Sequence, residues 1–309
     1  MRKLLICLCS SGVRESLQYC VESLRQQALP DGVDVSVLVV DNSRDALLRD
    51  FIKQQPEAGL PLIYAHEPHS GIPFARNCAL REAQALAADW IAFIDDDEIA
   101  PRHWLVQLLA CLNANQADVV VGEVGRCETL QMAVLSANDC QPQGPTEALP
   151  RVKTAVTSNV LLGSRLFSDS GMGLRFDEGM VFGGSDREFF MRAVQQGAQI
   201  VYAANELVYE AWPAERRKPI YLLMRWFRYG VSFNYRYRKN MAPAKGCTLI
   251  LLMFLYKLLG APIKLLLLPL RKIRDKRPLR RLVGTSLADV AYAFGCIAPF
   301  FGVTLSRYY

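Results

Sequence analysis

A chain of 309 residues, 51% hydrophobic and 21% charged, reads as globular and is long enough for one large domain with an appendage or for two domains. Its net charge of +6 belongs to the tail: residues from Gly246 onward carry ten Lys or Arg against two acids, whereas the first 245 carry 26 basic and 28 acidic side chains, which speaks against a nucleic-acid-binding body. Nine scattered cysteines with no C-x-x-C pair and only three histidines argue against a zinc site or a disulfide framework and fit a reducing compartment.

The opening MRKLLICLCSSG has an apolar run, Leu4 to Cys9, too short for a secretory signal, and reads as a first buried strand. Further strands are predicted at VDVSVLVV (33–40), PLIYAH (61–66) and WIAFI (90–94), with helices between them at ESLQYCVESLRQQ (15–27), ALLRDFIKQ (46–54) and IPFARNCALREAQALA (72–87). Continuous Val/Ile/Leu strands separated by amphipathic helices predict an α/β, doubly wound, mostly parallel sheet covered on both faces. Such sheets bind ligands beyond the carboxyl ends of their strands, where the strand order reverses. Polar residues stand at those ends: Ser10 and Ser11, then Asp41, Asn42 and Ser43, then Asp95, Asp96 and Asp97.

Residues 113 to 183 are richer in Gly, Pro and Ser, with strands expected at ADVVVGEV (117–124) and TSNVLL (157–162). A helix begins within GGSDREFFMRAVQQG. Ser185 with Glu188 reads as a capping box, Phe189, Phe190, Ala193 and Val194 as the apolar face, and Gly197 as the end. Asp186 then lies in the first turn. QIVYAANELVYE (199–210) supplies another strand.

WIAFIDDDE places four consecutive acids directly after an apolar strand. Mutual repulsion raises the pKa of at least one of them unless a cation is shared. Mg2+ or Mn2+ typically takes one or two protein carboxylates and fills its remaining positions with water and phosphate oxygens. Taken alone, the run reads either as a solvated acidic turn or as the site of a metal that arrives with a diphosphate.

The segments CLCSSGVRESLQYCVESLRQQ, VLVVDNS, HSGIPFARNCALREA, WIAFIDDDEIAPRHWL, TSNVLL and GGSDREFFMRAVQQGAQIVYAANELVYEAWPAERR occur in the order and spacing of the family 2 glycosyltransferases of the GT-A fold. The resemblance covers residues 3 to 240, and is nearest to bacterial exopolysaccharide glucosyltransferases of the succinoglycan β-1,4 type. It implies a nucleotide-sugar donor with Ser10, Asp41, Arg76, Asp95 and Asp96 at its site. Asp41 would bond the uracil or ribose, Arg76 would lie near the diphosphate, and Asp95 and Asp97 match the DxD pair with Asp97 on Mg2+ or Mn2+. Asp96 holds the variable middle position and points the other way, since side chains alternate along an extended chain. Asp186 matches the general base. Where many relatives carry a further His, this chain reads VYEAWP, which makes Glu210 the candidate replacement as a metal ligand.

The chemistry calls for these parts in any case: a metal and Arg stabilise charge on a leaving diphosphate, and a carboxylate takes the proton of the attacking hydroxyl. The implied activity is inverting transfer of a hexose from a UDP-sugar to a lipid-linked or saccharide acceptor in cell-surface polysaccharide synthesis. Two rivals are a sugar nucleotidyltransferase, disfavoured because SSGVRES supplies a single glycine, and a non-catalytic membrane-bound partner of a polysaccharide assembly complex.

The division expected is a catalytic domain over 1–240 and a helical, basic, membrane-associated region over 241–309. ERRKPIYLLMRWFRYGVSFNYRYRKN (215–240) interleaves Arg with aromatics; lacking a basic body around it, it is not a nucleic-acid platform. Arg225 and Arg228, three apart on a predicted helix, are candidates for a phosphate or simply a solvated face. CTLILLMFLYKLLGAPIKLLLLPL (247–270) is long enough to cross a bilayer, interrupted by Gly260 and Pro262, with Lys257, Lys264 and Arg271 stacked on one face. A full span would carry the seven cations of RKIRDKRPLRR (271–281) outward, against the positive-inside rule. The expectation is therefore a monotopic helix pair, with LVGTSLADVAYAFGCIAPFFGV (282–303) as the second apolar stretch, on the anionic cytoplasmic face of a bacterial inner membrane.

Overall fold

A computed structural model describes residues 1–12, 14–56, 58–142, 144, 148–269 and 279–303, with the side chains of Arg280 and Arg281 left aside. Two compact units divide the chain, one of residues 1–179 with 185–212 and one of residues 180–184 with 213–309.

The first unit opens with β1 (Arg2–Ser10), α1 (Glu15–Arg25), β2 (Val33–Asp41), α2 (Leu48–Lys53), β3 (Leu62–His66), α3 (Ile72–Ala85) and β4 (Trp90–Asp95). β5 (Glu98–Ile99), α4 (Trp104–Ala114), β6 (Val119–Cys127), α5 (Leu130–Asp139), β7 (Arg151–Val152), β8 (Asn159–Gly163), α6 (Ser185–Gln195) and β9 (Ile200–Ala211) follow. Among the described residues the strands form one mixed, mostly parallel sheet in the order β3-β2-β1-β4-β8-β6-β9-β5, with β7 on β9. β1, β2, β3 and β4 pair in parallel, β8 runs antiparallel to both β4 and β6, and β5 antiparallel to β9. The chain adds β2 and β3 on one side of β1 and then returns to place β4 on the other. This makes the β1/β4 boundary the switch point where such sheets bind ligands.

Alternation along β1 divides the core. Leu4, Ile6 and Leu8 join Leu17 and Leu24 of α1 and Trp104, Leu105 and Leu108 of α4. Leu5 and Cys7 face Ala75 and Ala79 of α3 and Phe189 and Phe190 of α6. With both faces covered, each fully buried aliphatic or aromatic side chain contributes roughly 1.5–3 kcal/mol, which fixes the register that brings the strand ends level.

Helix α6 departs from its expected start. Ser185 is its first residue, and its buried Oγ has no hydrogen-bond partner among the described residues. Glu188 instead binds Arg192 one turn on, at 2.6 and 2.8 Å, so the capping box does not form. A charged pair outcompetes a neutral amide for the same carboxylate. The other end follows expectation, with Gly197 at positive φ and Ala198 N–H closing onto Ala193.

The second unit is helical: α7 (Ala214–Arg217), α8 (Pro219–Asn240), α9 (Pro243–Leu266) and α10 (Leu279–Ile297). Gly230 of α8 and Gly295 of α10 let two backbones meet, since a Cβ on Gly230 would collide with the Tyr292 carbonyl and one on Gly295 with that of Phe227. α9 runs unbroken through Gly260 and Pro262, where an interruption was expected. Proline removes one intrahelical bond, and the rest of the apolar helix holds. α9 and the stretch Leu282–Phe301 are each long and apolar enough to cross a bilayer. Of the basic run at 271–281, residues 271–278 lie outside the described residues.

Candidate active site

Parallel pairing sets three strand ends side by side. Ser10 is in register with Asp41 and Cys9 with Asp95, so the polar residues after β1, β2 and β4 share one edge. Ser10 is buried, and its Oγ approaches the Gly12 carbonyl at 3.0 Å and the Asp96 carboxylate more closely still. Asp95 turns toward α3, where Arg76 Nη2 lies 3.8 Å from its Oδ1. The two neighbours thus point to different partners, Asp95 as the last residue of β4 and Asp96 in the turn after it.

The segment around Arg76 explains how the guanidinium is aimed. It lies 5.7 Å from the centre of the Phe176 ring, and that ring stacks on Phe189 at 4.3 Å. Asn77, next in the chain, grips the same segment: its Oδ1 accepts from Phe176 N–H at 2.7 Å, while its Nδ2 donates to the Phe176 carbonyl at 3.0 Å and to Glu178 at 2.9 Å. Adjacent residues of α3 therefore place a cation and anchor the aromatic surface beneath it.

Burial pushes the Asp95 carboxyl up to about 7; Arg76 opposes this, and the charges of Asp97, Asp96 and Asp186 add to it. Its side chain keeps 45% of its surface open, so water tempers the burial contribution, while the crowding of carboxylates is a matter of position alone. Asp96 is also raised, chiefly by burial, with its Ser10 bond opposing and Asp97 adding. That Asp186 bears on Asp95 puts the first turn of α6 at the same edge. The Asp186 Oδ1 accepts from Arg187 N–H at 2.7 Å, which fixes the carboxylate in place.

Asp41 has a different setting. It is fully buried, and its carboxylate accepts from Ser43 N–H (2.9 Å), Ser43 Oγ (2.5 Å), Leu48 N–H (2.8 Å) and Tyr64 Oη (3.0 Å). Four donors match the four acceptor positions of a carboxylate. Its visible task is to shape the turn from β2 into α2. Glu210 lies opposite Glu98 in the β5/β9 ladder and beside Arg126 in the β6/β9 ladder, and Arg126 Nε donates to it at 3.0 Å. The Arg126 guanidinium also sits 4.2 Å from the Trp212 ring centre.

Three contributors escape motif reading. Glu98, buried, accepts from Asp95 N–H at 2.9 Å and so shapes the acidic turn from within. Asn42 donates to the carbonyls of Glu67 and His69 and accepts from Gly71 N–H, tying the end of β2 to the entry of α3. Asn77 is the third. The sequence sets Asn42 at a strand end, Glu98 in the acidic run and Asn77 beside Arg76, but gives none of them a partner.

Among the described residues no group of three or more His, Cys, Asp or Glu forms a cage for a metal. A cage is not what this edge would need. A divalent ion that shares a diphosphate takes one or two protein carboxylates, and the half-exposed, mutually repelling carboxylates of 95–97 are hard oxygen donors that suit Mg2+ or Mn2+.

Residues 5–133 match the model of glycosyl transferase family 2. Over 220 residues the chain is 30% identical to the succinoglycan biosynthesis protein ExoM of Rhizobium meliloti (strain 1021), covering 70% of each. The chain belongs to glycosyl transferase family 2. In fold it is similar to the mannosyltransferase PcManGT from Pyrobaculum calidifontis in complex with GDP-Man and Mn2+, with a TM-score of 0.63, 18% identity, and coverage of 95% of this chain and 86% of that one. It is also similar to S. aureus TarS 1–349 in complex with UDP-GlcNAc, with a TM-score of 0.52, 15% identity and coverage of 97% and 92%. This is the GT-A fold, and the chain is a transferase of glycosyl groups.

Proposed function

We propose that this family 2 glycosyltransferase moves a hexose from a UDP-sugar to a lipid-linked or saccharide acceptor, with inversion, in the synthesis of a cell-surface polysaccharide. The observation that carries the reading is the convergence at the β1/β4 switch point of Asp95, Asp96 and Asp97 with Arg76 and with Asp186 from another element. The likeness to a succinoglycan biosynthesis protein supports the polysaccharide product class.

Asp97 would hold Mg2+ or Mn2+, which when bound neutralises charge on the leaving diphosphate. Glu210 is the weaker candidate ligand, because Arg126 competes for its carboxylate. Arg76 stands beside Asp95 to meet the same diphosphate charge, while Ser10 and Asp96 line the edge where the nucleotide lies. Asp41 acts one step removed, by holding the β2–α2 turn. Asp186, in the first turn of α6, takes the proton of the acceptor hydroxyl. One base and one displacement invert the anomeric carbon. Because nucleotide sugars are cytosolic, the edge works at the cytoplasmic membrane face.

Mass spectrometry of products formed from a panel of UDP-sugars, Mn2+ and a membrane lipid extract tests the reading. The expected result is one hexose added to a lipid or saccharide from a UDP donor. Binding of UDP with no transfer to any acceptor would favour the non-catalytic rival.

A further inference from the structure

The cationic stripe predicted along the first apolar helix does not face outward. Lys257 and Lys264, two turns apart on α9, both reach Asp289 of α10: Lys257 Nζ lies 2.7 Å from Oδ1, and Lys264 Nζ pairs with Oδ2. Asp289 is 6% exposed, and Lys257 also sits 5.4 Å from the centre of the Tyr292 ring. With the lysines turned inward, the opposite side of α9 presents Leu251, Leu255, Leu259, Ile263 and Leu266, between 39% and 81% exposed. At 3.6 residues per turn these lie roughly opposite the lysines. From Gly246 to Ile263 the single charged residue is Lys257, which is spent on Asp289.

We propose that the outer face of α9 is in contact with the acyl chains of an anionic bilayer, and that the Lys257–Asp289–Lys264 triad is what lets two charge-bearing helices enter lipid as a pair. The inference rests on the membrane-linked reading of the enzyme and adds to it the contacting surface and the device that makes contact tolerable. Charge complementarity selects lipid as the occupant. Arg236, Arg238, Lys239 and Lys245 precede the apolar stretch and Arg271, Lys272, Arg274, Lys276 and Arg277 follow it, so cations bracket that stretch in the sequence. Cations at both ends suit phosphate headgroups, each contributing about 1 kcal/mol near an anionic surface. The 24 residues of α9 extend about 36 Å, so a helix lying along the leaflet sets its exposed row among the acyl chains and keeps the cations at both ends level with the headgroups. A lone ammonium or carboxylate is costly at such depth, and pairing removes most of that cost.

The test uses the full chain with vesicles of phosphatidylethanolamine and phosphatidylglycerol. Benzoylphenylalanine is placed in turn at Leu255, Leu259 and Ile263, with Leu47, exposed on the other unit, as control. Irradiation should give phospholipid adducts at the three α9 positions and none at Leu47. Covalent dimers in place of lipid adducts would make a second copy of the chain the occupant, and absence of any adduct on vesicle-bound protein would leave α9 out of the bilayer; either overturns the proposal. For the triad, Asp289→Asn should reduce vesicle insertion at least tenfold, whereas the variant carrying Lys257→Met, Lys264→Met and Asp289→Leu together should insert like the parent. Equal loss in both would show that shape and not charge pairing matters, which contradicts the role given to the triad. UDP binding, measured on each variant, separates failure of the site reading from failure of this one.

Discussion

Two places in the molecule gather charge, and they do it in opposite ways. At the β1/β4 edge Asp95, Asp96, Asp97 and Asp186 crowd together, with Arg76 bearing on Asp95 and Arg14 on Asp96. Between α9 and α10 one carboxylate, Asp289, receives two ammonium groups. The second arrangement pairs its buried carboxylate wholly within the chain and keeps one positive charge over. The first sets more carboxylates than the two arginines that bear on them, on half-exposed side chains at a ligand-binding position of the sheet, and that excess is where we propose that a cation would sit. A buried carboxylate met by cations of its own chain reads as structure, and an excess of carboxylates at the ligand-binding edge of a sheet reads as a site.

The comparison breaks most readily at Asp186. Asp186→Asn keeps the shape and removes the proton acceptor, so transfer should fall about 10²–10⁴-fold while UDP still binds; near parental turnover would return Asp186 to a purely helix-capping role. Arg76→Met deepens the imbalance, and should cut kcat/KM for the donor about 10–100-fold, the range of a lost charge-assisted bond. An unchanged steady-state profile would remove Arg76 from the diphosphate. Asn77→Ala leaves every charge in place but releases the 176–178 segment under Arg76, with an expected loss of about 1–3 kcal/mol in denaturant unfolding.

The smallest effect concerns a carboxylate governed by burial. Glu206, 2% exposed, is pushed from 4.5 up to about 7 by desolvation, with the Cys111 thiol opposing. The folded chain therefore keeps a proton that the unfolded chain loses. Its contribution is fully present below about 4.5 and is lost as pH rises toward about 7, at roughly 1 kcal/mol per pH unit. Glu206→Gln cannot ionise, so its thermal midpoint should exceed the parent's at pH 8 by more than at pH 4. Parallel midpoint curves for the two proteins would refute the shift.

How far the sequence can be read follows the range of the forces involved. β1, β2, β3 and β4 are continuous apolar runs, so strand, helix and strand again are legible from composition and period. β5 spans two residues, Glu98 and Ile99, and exists because β9 pairs with it; no local pattern announces it. The acidic turn, Arg76, Asp186 and Asp41 are visible as motifs, whereas the donors that Asp41 meets, from Ser43 and Leu48 and from Tyr64 of β3, are not. The Ser185 pattern matches a capping box until Arg192 claims Glu188. Likewise the lysine spacing on α9 is plain, whereas the partner that turns the stripe inward, Asp289, lies 32 residues from Lys257. Local periodicity is readable, and the competition among partners distant in sequence is not.

Calorimetry of UDP binding with and without Mn2+, on the parent and on Asp97→Ala, meets the central claim most directly. If surplus charge at this edge is the seat of a metal shared with a diphosphate, Mn2+ should tighten UDP binding in the parent and make no difference in the variant. A variant whose UDP affinity still rises with Mn2+ as the parent's does would contradict the account.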